Sequence, residues 1–210
     1  LNTYAVHIGV TAGGSVSFFK KLLSFSLSGR LIYGFIRSEM KIEANGWEGN
    51  IRKKALGFAP IIGVNVRPMK KLNIGMRFEF QTNLKYTTTV IDGKDFGNTI
   101  VDGAEEKINF PALLGIGVEY KFIPKVFKVS LSFNMYFTKM ADNANDVSTK
   151  IYGGYDDDYK NAYDISLGVE YHIFKQFAVS LGFQYVNNGG NENTYSNTEA
   201  ELNYFSISTG

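Results

Sequence analysis

The 210 residues contain no cysteine, only 4 prolines, 2 histidines and a single tryptophan. Without cysteine there is neither a disulfide framework nor a thiolate metal site. Scarce proline leaves backbone donors free for long ladders of hydrogen bonds. Nor is there a run of about 18 apolar residues, the length a membrane-spanning helix requires. The longest apolar stretch, Ala55 to Val66, is interrupted by Gly57, Pro60, Gly63 and Asn65. Charge of one sign is also missing. The formal net charge is +2, and no basic run is long enough to make a phosphate-binding stripe, so nucleic acid is not an expected partner. The chain starts at Leu1 with no Met or signal peptide, so either a leader has been removed or the sequence is part of a longer chain.

Aromatic residues and glycine are plentiful. Phe (17) and Tyr (13) bring aromatics to 15%, and there are 22 glycines. This composition favours strands, and the pattern agrees. From Asn73, Ile74, Met76, Phe78 and Phe80 alternate with Gly75, Arg77, Glu79 and Gln81. The same period of two runs through Ala112–Phe122, Phe127–Thr138 and Ala162–Ile173. It predicts eight strands, near 3–18, 22–40, 55–67, 72–86, 110–122, 127–140, 161–174 and 177–187, with a ninth starting near Leu202. Most exceed the usual globular strand and suit a tilted membrane crossing of about 9–11 residues. A mean hydropathy of -0.11 is compatible with this, because each lipid-facing residue is diluted by a lumen-facing one.

Connections alternate strictly between short and long. Short basic turns fall at Phe19–Lys21, Arg67–Lys71, Ile123–Val126 and Lys175–Gln176; longer polar segments fall at 42–54, 87–109, 141–160 and 188–201. That asymmetry puts every short turn on one rim, as in outer-membrane barrels. The polar face carries Ser24, Ser26, Ser28, Gly115, Gly117, Ser130 and Ser132, where a solvated outer face would carry more Lys and Glu. Aromatics such as Phe18, Phe110, Tyr120, Phe127, Tyr171 and Phe177 mark strand ends, as an interfacial girdle does. The expected fold is therefore all-β: an antiparallel transmembrane β-barrel in a bacterial outer membrane, with lipid on the apolar face and the lumen on the polar one.

Three segments resemble a known family. Gly63-Val64-Asn65, Pro68, Leu72 and Gly75 follow the hairpin pattern of the outer-membrane long-chain fatty acid transporters of the FadL/TodX type. Pro111-Ala112, Gly117 and Tyr120 resemble that family's next strand, and Tyr163–Tyr185 is similar to a later hairpin. The resemblance implies a 14-stranded barrel, plugged by an N-terminal hatch, that passes hydrophobic molecules such as fatty acids. About nine strands are legible here, with neither hatch nor closing C-terminal strand. Residues 1–210 are therefore expected to form one incomplete barrel domain.

Charged residues on the presumed lumen face are the candidate ligand contacts: Arg30, Arg77, Glu79, Glu119, Lys121 and Glu170. A lumen cation suits a fatty-acid carboxylate, with the tail along Ile32, Ile36 and Ile61. A structural role competes: if the 87–109 loop is symmetric, Arg77 and Glu119 face each other and pair. His7 and His172 fall on the polar face, but nothing ties a nucleophilic serine to either, so no enzyme activity is expected. Asp156-Asp157-Asp158, with Asp164 or with Asp142 and Asp146, lacks the spacing of a calcium-binding loop and reads as solvated loop. Gly13-Gly14, Gly153-Gly154 and Gly189-Gly190 are not followed by Lys-Ser/Thr into a helix, so no phosphate-loop cofactor is implied. Transport leads this reading. A general diffusion porin, a structural or adhesive barrel and a lipid hydrolase stand as alternatives.

Overall fold

The computed structural model describes residues 2–42, 47–93, 101–141, 160–190 and 202–210. Eleven strands join in one sheet: β1 (Asn2–Phe18), β2 (Leu23–Ile42), β3 (Trp47–Met69), β4 (Leu72–Glu79), β5 (Lys85–Gly93), β6 (Glu105–Lys107), β7 (Leu113–Ile123), β8 (Phe127–Tyr136), β9 (Ala162–Phe174), β10 (Phe177–Asn187) and β11 (Tyr204–Thr209). Nine of them form an antiparallel succession, β1-β2-β3-β4-β7-β8-β9-β10-β11. β5 leaves that path and pairs with β3 and β6. Neighbours in sequence are neighbours in space because the short turns can only join antiparallel strands.

The transmembrane barrel expected from the sequence, of which these residues would form an incomplete part, is not formed: the strands make an open sheet. β1 pairs only with β2 and β11 only with β10, so among the described residues the sheet is open at both edges. The reason is directional. Nine strands in antiparallel succession leave the first and last running the same way, and such a pair cannot close by the antiparallel ladder that joins all the others.

Register explains which residues share a face. Phe18 lies opposite Leu23, Leu23 opposite Val66, and Ile62 opposite Phe78. Across the sheet, Phe78 meets Leu114, Leu114 meets Met135, Met135 meets Tyr163, and Leu181 meets Val169. Along the middle of the strands the alternation is thus kept in phase from one edge to the other, and the register shifts at Val66/Met69, Lys121/Ile123 and Phe177/Ala178 lie beside the short turns. The apolar face is bare. Leu27 is 66% exposed and Leu56 63%, and Val10, Phe58, Leu131 and Leu181 are likewise exposed.

The buried apolar residues lie on the other face: Ile32, Ile51, Ala55, Ala59, Ile61, Leu84 and Tyr86. They are covered by a feature the alternation does not predict. β4 ends at Glu79, and the chain turns across the polar face before re-entering the sheet as β5, beside Gly49–Lys54 of β3. Thr82 and Phe110 exchange backbone hydrogen bonds of 3.1 and 2.9 Å, Ile108 donates to the Leu84 carbonyl, and Tyr86 pairs with Glu106. Residues 82–110 thus begin and end as an inward hairpin. Its Leu84 and Tyr86 pack on Ile32 and Ala55, with Ile36, Ile108 and Phe110 around them. Gly34 and Gly57 make room. A β-carbon on Gly57 would lie 2.6 Å from Thr82 Cγ2 and 2.8 Å from Leu84 Cδ2, and one on Gly34 would collide with the Tyr86 ring.

Candidate functional site

Below the inward hairpin, the polar face is an open trough of about 1050 Å3. Ser24, Ser26 and Ser28 of β2, Gly75 of β4, Gly115 and Gly117 of β7, and Ser130 and Ser132 of β8 line it. Small residues recur here because alternate positions along each strand point to the same face. Their short side chains leave space above the sheet.

The charged candidates divide into paired and unpaired groups. Arg30 Nη1 donates to Glu79 Oε1 at 2.6 Å, and Arg30 Nε donates to Thr11 Oγ1 at 3.0 Å, so one bridge crosses β1, β2 and β4. Glu79 is buried, and its Oε2 has no protein donor among the described residues. Lys121 lies 3.4 Å from Glu119 on the same strand, and Glu170 receives both Lys128 at 3.0 Å and His172 at 2.7 Å. Arg77 is different. It sits between Gly63 and Gly115 on the neighbouring strands, lines the trough, and has no carboxylate partner among the described residues.

The facing pair of Arg77 and Glu119 does not form. Glu119 lies opposite Asn73, and Arg77 opposite Gly115. The connection is centred on residue 96 rather than on residue 98, the middle of the expected 87–109 loop, so Arg77 meets Gly115 as Thr82 meets Phe110 and Tyr86 meets Glu106. The apolar candidates Ile32 and Ile61 are buried and Ile36 half-buried, with Ile32 and Ile36 against the hairpin core. His7 Nε2 shares a 2.6 Å hydrogen bond with the Tyr86 hydroxyl and sits edge-on to Phe110. That bond anchors the hairpin to β1.

Asp164 also has a place on this face. Buried on β9, it accepts from Asn134 Nδ2 at 3.0 Å and the Tyr136 hydroxyl at 3.2 Å. It tethers the interior side chains of two strands. Asp142, Asp146, Asp156–Asp158 and Gly153-Gly154 lie outside the described residues. Among the described residues, no three of His, Asp or Glu gather as a metal site, and no helix is long and apolar enough to cross a membrane.

No family model matches the sequence, and no curated protein matches it. Solved structures resemble it in fold. A Pseudomonas aeruginosa FadL homologue superposes with a TM-score of 0.62 at 13% identity, over 90% of this chain and 51% of that one. The Pseudomonas putida toluene transporter TodX gives a TM-score of 0.57 at 13% identity, over 88% and 56%. The Escherichia coli K12 ferric-catecholate import receptor Fiu gives 0.50 at 11%, over 99% and 35%. This chain spans about half the length of the first two. At these identities the likeness is one of fold alone.

Proposed function

We propose that the chain is part of a bacterial outer-membrane protein that passes hydrophobic small molecules along its polar face, long-chain fatty acids foremost. The observation that supports membrane residence best is the bare apolar face, in phase over nine strands and uncovered by any second layer among the described residues. Monomeric soluble proteins rarely leave contiguous apolar area of this extent in water. Lipid is the partner that such a face fits.

Arg77 would hold the ligand carboxylate, as a trough cation without a carboxylate partner among the described residues. Arg30 with Glu79 and Lys121 with Glu119 would flank the path. The tail would lie against Ile61, which lines the trough, and would reach Ile32 and Ile36 only when Leu84 and Tyr86 lift away from them. Similarity to a FadL homologue and to a toluene transporter supports hydrophobic cargo as a class. No chemistry on the cargo is proposed.

Binding of oleate and of toluene to the full-length protein in detergent tests this reading. Arg77→Gln should weaken oleate binding about tenfold, the value of one charge-assisted contact, and leave toluene unchanged. No binding of either compound by wild type would reject it. A second reading, a general diffusion channel, is favoured by the Ser and Gly lining, which water wets well. Large steady currents in a planar bilayer would support that reading instead.

A further inference from the structure

The four short turns are unusual for their charge. In the first, Phe19, Lys20 and Lys21 all have positive φ, at 51°, 54° and 72°. Three successive non-glycine residues in the left-handed region are costly, where Asn-Gly would turn the chain cheaply. The second turn carries Arg67, Lys70 and Lys71. Backbone bonds hold the turns side by side: Arg67 N–H donates to the Leu22 carbonyl at 2.7 Å, and Lys121 N–H to the Lys71 carbonyl at 2.8 Å. Together these residues line a hollow of about 530 Å3 whose one acidic side chain is Glu119, already beside Lys121. Lys20, Lys21, Lys70 and Lys71 have no carboxylate partner among the described residues. Asp102, Glu105 and Glu106 belong to the connections of the opposite rim.

We infer that this rim is a binding surface for anionic phospholipid headgroups. Charge complementarity selects an anion, and the apolar surroundings select a lipid. Phe19, at 77% the most exposed large apolar residue among the described residues, sits in the same turn, with exposed Met69 and Leu22 beside the second. Phe18, Phe122, Phe174 and Phe177 continue the exposed belt at the adjoining strand ends. A free phosphate or a nucleotide gains nothing from such a belt. A lipid uses both parts, its acyl chains against the aromatic side chains and its phosphate among the lysine heads. Long lysine stems allow this by lying along the apolar surface with the ammonium group at the headgroup level. The inference rests on the membrane reading above.

The test is lipid retention by the full-length protein. Protein reconstituted in vesicles of 70% phosphatidylcholine and 30% phosphatidylglycerol (all amounts here being about these values) is extracted gently, and retained lipid is measured by native mass spectrometry. Each cation near an anionic membrane surface strengthens attraction about fivefold, so the combined variant K20Q/K21Q/K70Q/K71Q should lower phosphatidylglycerol retention by at least about tenfold. Replacing the same four lysines by arginine should preserve it, which separates lost charge from lost folding. Lys139→Gln with Lys160→Gln, toward the opposite rim, should change nothing. Equal retention of the two lipids by wild type, or undiminished preference in the four-glutamine variant, overturns the proposal. So does competition by free glycerol phosphate at the concentration that displaces the lipid. Inserted protein without preference defeats this inference alone, whereas failure to insert defeats the membrane reading with it.

Discussion

At the scale of the residue, the bridge from Thr11 through Arg30 to Glu79 is the most constrained polar contact of the face. A buried carboxylate with one oxygen already lacking a protein donor depends on Arg30 for its remaining partner. Arg30→Ala should therefore destabilise the protein by about 1–3 kcal/mol, the cost of a polar group left unsatisfied. Replacing both partners by Met and Leu should cost less than removing Arg30 alone, since no charge is then stranded. Unfolding of the two variants in urea, compared with Glu79→Leu in a double-mutant cycle, measures the difference. Glycine at 57 is constrained by a different term. Gly57→Val would push its methyl groups into Thr82 and Leu84, so a loss of about 1–3 kcal/mol is expected from overpacking. Gly117 is the control, because its nearest neighbour to an added β-carbon is a carbonyl oxygen 4.0 Å away. Gly117→Ala should stay within about 0.5 kcal/mol.

At the scale of the element, the inward hairpin decides what the polar face presents. Its core is Leu84 and Tyr86, both fully buried. Leu84→Ala should open a cavity and cost about 2–5 kcal/mol locally, read as faster amide hydrogen exchange across 82–90 with little change in β8 and β9. Equal acceleration throughout the sheet would mean that the hairpin has no stability of its own. The main strands were legible because alternation records which face a residue occupies, and the register keeps that phase along the middle of the main strands. The hairpin was hidden by the same signal. Phe78 and Phe80 on the apolar face share even phase with Leu84 and Tyr86, which lie over the polar face, because the chain crosses between faces without inserting a residue. One strand near 72–86 was the natural reading. The polar break Gln81-Thr82-Asn83 and the two glycines opposite, Gly34 and Gly57, were the available hints. Ile32 and Ile36, apolar in a polar phase, are explained by the hairpin that packs on them, and the same cover makes any ligand contact there conditional on its movement. That nine strands do not close was legible in their odd number, although no local pattern shows whether the first strand meets the last.

At the scale of the whole molecule, the membrane reading proposed above has one sheet separating two environments, and the question of which face would meet lipid has a direct energetic answer. Leu131 and Ser132 are adjacent at the middle of β8, pointing to opposite faces. Leu131 stands between Val118 and Leu167 on the exposed apolar face; Ser132 stands between Gly117 and Ser166 in the trough. In a bilayer, an arginine at the midplane of the lipid face costs about 2–4 kcal/mol, whereas one facing water is little penalised. Leu131→Arg should therefore lower stability in vesicles by about that amount, while Ser132→Arg, with glycine leaving it room, should cost under about 1 kcal/mol. In a soluble protein whose apolar face was covered by a second layer, Leu131→Arg would also be costly, so the pair must be measured again in lipids of different chain length. Moving the midplane away from Leu131 should relieve its penalty, because the cost falls toward the interface, whereas burial under protein would be indifferent to the lipid. A penalty at Leu131 that ignores bilayer thickness, or one that falls on Ser132 instead, would reverse the assignment of the two faces and remove the basis for placing cargo in the trough.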